Sequence, residues 1–153
     1  MKKYALQLKN ITKIYKDGDS ENTVLNNISI NVKPGEFVAI VGPSGSGKST
    51  FLSIAGALLS ASSGEIIIGD TNLSEKYKKE LADIRRNQIG FVFQSHQLIP
   101  YLKVIDQLKL IPQLSKNKNK KEINDYANKL LKDFGLEHRL NHYPSKLSGG
   151  EKK

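Results

Sequence analysis

The sequence predicts an α/β fold in which a glycine-rich loop joins a buried strand to a helix. The stretch GPSGSGKST at residues 42–50 directly follows an apolar run at residues 37–41, and such a run is typical of a strand covered on both faces. After the loop, apolar residues lie at positions i, i+3, i+4, i+7 and i+8, which is the pattern of an amphipathic helix. These residues are Phe51, Ile54, Ala55, Leu58 and Leu59. A strand, an open loop and a helix in this order indicate a ligand site at the loop.

In the rest of the chain, apolar residues recur with the period of strands in some segments and of helices in others. By alternation or by short apolar runs, strands are predicted at residues 4–8, 28–32, 64–70 and 89–94. By helical spacing, further helices are predicted at residues 74–86, 104–111 and 123–134. Ser74 is a favourable residue to begin the first of these helices, with Tyr77 on its apolar face, and Gly135 is placed to end the last. The chain is therefore expected to begin with β structure and to become helical in its second half.

Composition limits the classes of function. The chain has 153 residues, a net charge of +9 and no cysteine, which excludes disulfide frameworks, thiolate zinc sites and cysteine nucleophiles. Lysines concentrate at residues 75–80 and 115–122 without an arginine cluster or interleaved aromatics, so we expect solvated surfaces and no direct nucleic-acid binding. The sequence has no signal-peptide pattern and no spanning segment. Contact with a membrane is accordingly expected only through a partner.

The loop has the composition of a phosphate cradle. Residues 42–49 fit the pattern G-x-x-x-x-G-K-[ST] between a predicted strand and a predicted helix. Gly45 and Gly47 leave the backbone N–H groups accessible to phosphate oxygens. Lys48 is placed to reach the terminal phosphates, and Ser49 offers a hydroxyl to Mg²⁺. The sequence thus predicts a site for a nucleoside triphosphate with Mg²⁺, and the loop alone does not separate a kinase from a GTPase or a motor.

A second motif gives the loop a family context. Residues 147–151 read LSGGE, and together with the first loop they resemble the signature and P-loop of the ATP-binding subunits of ABC transporters. Tyr15 in ITKIYKDG resembles the aromatic residue that stacks on adenine, and Gln94 in GFVFQ resembles the Q-loop glutamine. The resemblance runs from residue 3 to residue 153. The surroundings of the P-loop and of Gln94 are closest to the subgroup for lipoprotein release, macrolide efflux and bacteriocin export.

The resemblance implies a fold and a set of site residues. The fold is a P-loop NTPase of the ABC nucleotide-binding type, with an N-terminal antiparallel β region, a mostly parallel core sheet and a helical subdomain. Residues 1–94 are expected to form the β region and P-loop core, and residues 95–153 the Q-loop, helical subdomain and signature. Lys48 and Gln94 are the expected catalytic residues, and Ser49 and Gln94 the expected Mg²⁺ ligands. The nucleotide-binding residues are expected to be Tyr15, Gly42, Pro43, Ser44, Gly45, Ser46, Gly47, Lys48, Ser49, Thr50, Ser148, Gly149 and Gly150.

The resemblance also implies partners. In the family, the signature of one subunit closes on the P-loop of a second subunit in a head-to-tail dimer, and the pair drives a membrane permease. The segment from Gln94 to about residue 111 is the part that contacts the permease. We therefore expect a cytoplasmic subunit on the inner face of the cell membrane that couples ATP binding and hydrolysis to export. An ABC-type protein acting on ribosomes or DNA is disfavoured by the exporter-like sequence around Gln94.

Two hydrolytic elements of the family do not occur in the sequence. No run of four apolar residues followed by Asp-Glu is present, so the Walker B carboxylates and the histidine switch lack counterparts, although hydrolysis needs carboxylates of this kind. From this and from the position of LSGGEKK, we expect a truncated form of a longer subunit that is inactive as an ATPase by itself. The alternative function is a non-catalytic fragment that only binds nucleotide.

Overall fold

The chain packs as two units in the computed structural model, which describes residues 4–74, 78–113 and 119–153 and only the backbone of Lys78 and Ile111. The first unit ends at Phe91 and the second runs from Val92 to Lys153. The division predicted at residues 94 and 95 was drawn from the family resemblance and stays a prediction.

A four-stranded antiparallel sheet forms the frame of the first unit. Strands β1 (Leu6–Asp17) and β2 (Ser20–Val32) make a long hairpin. Strand β3 (Ser63–Ile68) pairs with the free side of β1, and the short β4 (Thr71–Asn72) follows it, giving the order β2-β1-β3-β4. The alternation of apolar residues that predicts strands at both ends of the hairpin is confirmed, because one face of the sheet carries the core.

Gly64 permits the close approach of β3 to β1. Its φ angle is +100°, and a Cβ atom at this position would lie 2.6 Å from the backbone oxygens of Lys9 and Asn10. Only glycine adopts this conformation without strain. The register between the two strands shifts at this point, between Lys9 and Thr12.

Two helices cover the apolar face of the sheet. They are α1 (Lys48–Ala55) and α2 (Lys78–Gln88). The buried core joins residues from both helices to residues from the strands and from the end of β4, namely Leu8, Ile11, Leu25, Phe51, Ile54, Ile66, Leu73 and Ile84. Because the loop before α1 is attached to this core through Phe51 and Ile54, its position is set by packing and not by the loop alone.

Helix α1 is shorter than its apolar pattern predicts. The helix ends at Ala55, and Ala57 has a φ angle of +56°, which interrupts helical geometry. The amides of Leu58 and Leu59 both donate to the carbonyl oxygen of Ser53. The two leucines at the end of the predicted stripe therefore belong to a turn and not to the helix.

The start that the sequence predicts for the helix after β4 is not tested, because residues 75–77 lie outside the described residues. The described part of α2 starts at Lys78, and Tyr77 lies outside the described residues. The Ser74 hydroxyl accepts a hydrogen bond from the amide of Ile66 (3.2 Å) and donates one to the carbonyl oxygen of Gly64 (3.3 Å). Ser74 thus binds β3. The prediction that Arg85 and Arg86 occupy the last turn of this helix is confirmed.

The parallel part of the predicted core sheet is not formed by the described residues. The segments at residues 37–41 and 89–93 are irregular, and every strand pairing among the described residues is antiparallel. Phe37 is 94% exposed and Val41 87% exposed, whereas Ile40 packs against the core. An apolar run shows a tendency to be buried, but a strand also needs a neighbour that takes its backbone hydrogen bonds. The strand predictions for these two segments are therefore wrong in this structure.

The second unit is built on a pair of helices, α3 (Val104–Gln113) and α4 (Lys120–Asp133). They pack through Ile105, Ala127 and Leu131. The Asn119 side chain accepts a hydrogen bond from the amide of Lys121 at the start of α4, and Gly135, with a φ angle of +67°, follows its end as predicted. Two single-turn 3-10 helices, Glu137–Arg139 and Pro144–Lys146, lead to the last seven residues.

No helix in the described ranges is both long and apolar enough to cross a lipid bilayer.

Candidate nucleotide site

The loop at residues 42–47 leads directly into α1 through a left-handed glycine. Gly47 is the N-cap residue of α1, with a φ angle of +83°. A Cβ atom there would lie 3.0 Å from the Leu25 side chain and 3.0 Å from the carbonyl oxygen of Val24. Strand β2 therefore backs the loop so closely that residue 47 must be glycine. The first hydrogen bond of α1 follows at once, from the amide of Phe51 to the carbonyl oxygen of Gly47 (2.8 Å).

The start of α1 presents backbone donors without a competing side chain. No side chain caps the helix, and its first turn contains no acidic residue. Residues 42–46 are exposed. The first N–H groups of a helix have no partners within the helix, and they carry partial positive charge from the helix dipole. The loop and helix start therefore form an exposed set of donors suited to an anion.

Lys48 places a cation within the loop. Its Nζ donates hydrogen bonds to the carbonyl oxygens of Gly42 (2.9 Å) and Pro43 (2.6 Å) and lies 3.5 Å from Ser46 Oγ. The side chain thus folds back over the loop that precedes its own helix. These contacts hold the ammonium group beside the exposed amides, where it can exchange a carbonyl partner for a phosphate oxygen. The donor set fits the polyphosphate of ATP.

Ser49 supplies the hydroxyl that the sequence predicts as a Mg²⁺ ligand. It lies in the first turn of α1 and is exposed, with Thr50 beside it. The described residues contain no group of three or more His, Cys, Asp or Glu side chains that could hold a metal ion by themselves. A hydroxyl fits Mg²⁺ when the remaining ligands are waters and phosphate oxygens, which is how this ion accompanies nucleotides.

Tyr15 lies on the hairpin that backs the loop. Its strand neighbour Lys13 pairs with Leu25, whose side chain borders Gly47. Tyr15 as a residue is 42% exposed, and the Lys13 ammonium lies 5.1 Å from the centroid of its ring. An exposed ring with one cation beside it has a face available for stacking. Its role toward adenine stays a prediction.

Gln94 belongs to the second unit and lies in a bend. The residue is exposed and follows an irregular segment, so it does not end a buried strand as the sequence predicts. The structure thus brings the residues of the first loop together with the Tyr15 hairpin. Gln94, Ser148, Gly149 and Gly150 are placed in the other unit.

The signature residues form a turn closed by Glu151. The amide of Ser148 donates to Glu151 Oε2 (2.7 Å), and the amide of Glu151 donates to Ser148 Oγ (3.3 Å). Arg139 Nε donates to the other carboxylate oxygen at 2.6 Å. These hydrogen bonds, first the one from the Ser148 amide and then the one from Arg139, lower the pKa of Glu151 from 4.5 to about 2. Gly149 and Gly150 are exposed, and a Cβ atom on either would meet nothing within 4 Å.

Sequence reasoning missed the role of Glu151 and Arg139. The sequence motif includes Glu151 but gives it no function of its own, and no pattern in the sequence points to Arg139. The spacing Ser148-x-x-Glu151 is the pattern of a capping box and was a usable signal. The contact with Arg139, twelve residues away, leaves no such trace in the sequence.

Comparisons with known proteins agree with these features. Residues 25–153 match the family model described as ABC transporter. A protein of Staphylococcus haemolyticus, whose name gives it provisionally as a hemin import ATP-binding protein, HrtA, is 49% identical over 149 residues. The corresponding protein of Staphylococcus aureus is 48% identical over the same length. Both alignments cover 97% of this chain and 66% of the relative.

Solved structures of an ABC transporter cassette also resemble this chain. The ATP-binding cassette MJ0796, described as a bacterial ABC transporter cassette, superimposes with a TM-score of 0.87 at 41% identity. The match covers 96% of this chain and 65% of that one. Its two structures are described as dimeric, and one is a post-hydrolysis state bound to ADP and Pi. The chain thus spans about two thirds of the length of the proteins it matches, and it shares their nucleotide-binding fold. By sequence and by fold, the chain belongs to the ABC transporter family, as an ATP-binding domain.

Proposed function

We propose that the protein is the ATP-binding subunit of an ABC transporter and couples ATP binding and hydrolysis to transport through a membrane permease. The observation that carries the proposal is the loop before α1. Gly47 begins the helix in a left-handed conformation, Lys48 reaches back over the loop, and no side chain occupies the donors. In a chain of this family, such a loop is the site for the phosphates of ATP.

In this proposal, different residues of the first unit contact different parts of the nucleotide. The amides of residues 44–49 hold the phosphate oxygens, and Lys48 neutralises the terminal charge. Ser49 contributes a hydroxyl to Mg²⁺, and Tyr15 stacks on the base. When bound, MgATP would supply the terminal phosphoryl group, whose transfer to water with release of ADP drives the cycle. Gln94 is proposed as a second Mg²⁺ ligand that also positions the attacking water.

A second copy completes the site in this proposal. Ser148, Gly149 and Gly150 of one subunit face the terminal phosphate held by the other, in a head-to-tail pair with closed two-fold symmetry. Support comes from the exposed amides of the signature turn and from the dimeric structures of the related cassette. The pair works on the cytoplasmic face of the membrane, with the segment from Gln94 to about residue 111 on the permease.

The direction of transport is inferred from sequence resemblance alone. The sequence around Gln94 resembles exporters, and on that resemblance we infer export. The names of the two HrtA proteins state hemin import and so do not support that direction. Measuring the hemin content of cells with and without the protein and its permease separates the two. A rise in cellular hemin when the protein is removed supports export, and a fall contradicts it.

The binding and hydrolysis parts are tested on the chain itself. Calorimetric titration with MgATP measures affinity, and phosphate release measures turnover. Saturable binding supports the nucleotide site, and its absence overturns the proposal. Binding without turnover favours the non-catalytic alternative for the isolated chain.

A further inference from the structure

Glu151 joins the signature turn to the 3-10 helix Glu137–Arg139. Its carboxylate Oε2 accepts a hydrogen bond from the amide of Ser148, and its own amide donates to Ser148 Oγ. Two backbone donors at the start of the turn are thus satisfied reciprocally. The turn then continues with hydrogen bonds from the amides of Lys152 and Lys153 to the carbonyl oxygens of Ser148 and Gly150.

Arg139 holds the other oxygen of the same carboxylate. Its Nε lies 2.6 Å from Glu151 Oε1, and His138 Nε2 lies 3.8 Å from that oxygen. The Glu151 side chain is only 19% exposed and that of Arg139 32% exposed. A charge-assisted hydrogen bond that is shielded in this way is stronger and more directional than one at an open surface. Arg139 is itself fixed, because its amide donates to the carbonyl oxygen of Leu136 and its carbonyl oxygen accepts from the amide of His142.

This chain of contacts fixes the donors that face outward. Ser148 Oγ accepts a hydrogen bond from the Glu151 amide. The hydrogen of the Ser148 hydroxyl is therefore left to donate to another group. Gly149 and Gly150, the next two residues, stand open to solvent. Without the carboxylate, the turn loses the hydrogen bond from the Ser148 amide, and only the one from the amide of residue 151 to Ser148 Oγ is left to close it. Donors that are already aimed bind an anion without the cost of ordering them.

We propose that Glu151, clamped by Arg139, is a positioning residue that presets the Ser148–Gly150 turn to receive the terminal phosphate of a nucleotide held by a second copy of the chain. The inference rests on the proposed function, since it assigns a role within the same paired site. In this proposal, Glu151 and Arg139 affect nucleotide binding only by positioning Ser148, and neither of them touches the nucleotide.

The test compares ATP binding with ATP-dependent pairing. Glu151→Ala removes the cap and the clamp, Glu151→Gln keeps an acceptor for the Ser148 amide, and Glu137→Ala removes an exposed carboxylate nearby as a control. We expect all three variants to titrate with MgATP like the parent chain. In analytical ultracentrifugation with MgATP, Glu151→Ala is expected to pair about tenfold more weakly. Glu151→Gln and Glu137→Ala are expected to stay within about threefold of the parent, on the same scale.

The outcomes separate the inference from the function on which it rests. If the parent chain does not pair in MgATP, the proposed function fails and the inference fails with it. If the parent pairs and Glu151→Ala pairs as tightly, the inference alone is wrong. If Glu151 had a purely structural role, Glu151→Ala would lower the thermal midpoint of unfolding, and Glu151→Gln would not restore it. Should Glu151→Ala fail to fold, Arg139→Gln replaces it, and weaker pairing at unchanged ATP affinity then supports the inference, whereas unchanged pairing overturns it.

Discussion

At the scale of single residues, Lys48 is the most direct test of the phosphate site. Replacing it with alanine removes one charged contact to the terminal phosphates, which corresponds to about 1.5–3 kcal/mol. The expected loss is about ten- to a hundred-and-fifty-fold in MgATP affinity. Calorimetric titration of the variant and the parent measures it.

The control for this change is Lys33→Ala, which removes the same charge from an exposed residue at the end of the sheet. Its affinity for MgATP should equal that of the parent chain. Equal affinity of all three proteins would show that Lys48 does not contact the nucleotide, and it would count against the loop as the phosphate site.

Glu151 gives a second prediction at this scale, in the pH dependence of stability. Its pKa is about 2 in the folded chain and 4.5 in the unfolded chain. Its stabilising effect is therefore fully present above about pH 4.5 and is lost as the pH falls toward 2. Urea unfolding of the parent and of Glu151→Gln at pH 5 and pH 3 measures the effect. The stability gap should narrow at pH 3, and a constant gap would contradict the assigned contacts with Ser148 and Arg139.

At the scale of elements, α1 links the core to the loop. Ile54 is fully buried in the core cluster, whereas Leu52, two residues earlier on the same helix, is 50% exposed. Ile54→Ala should lower the free energy of unfolding by about 2–5 kcal/mol. Leu52→Ala should change it by less than about 1 kcal/mol. Urea denaturation of both variants checks this, and similar losses for the two would mean that α1 does not pack on the sheet as described.

The elements also show what can be read from the sequence. The hairpin strands, α4 and its glycine stop were predictable because their patterns are local and repeat over many residues. The segments at residues 37–41 and 89–93 were not, because pairing depends on a neighbour that no local pattern specifies. The end of α1 was missed because Ala57 adopts a left-handed conformation that is uncommon for a residue with a Cβ atom.

The candidate site divides in the same way. The position of Gly47 and Lys48 at the junction of loop and helix was predictable. A strand-like run, a spaced glycine motif and a helical stripe lie next to each other in the chain. The back of the loop was not, because the contact with Val24 and Leu25 joins residues more than twenty positions apart. The clamp between Arg139 and Glu151 is of this second kind.

At the scale of the whole molecule, the proposed function requires that backbone amides of one loop bind a polyphosphate. The most direct measurement is an amide NMR titration of the chain with MgATP and, separately, with adenosine. We expect the amide resonances of residues 44–50 to shift with MgATP and to stay in place with adenosine, which lacks phosphate. Unchanged resonances at these residues in saturating MgATP, or equal shifts with both ligands, would contradict the account.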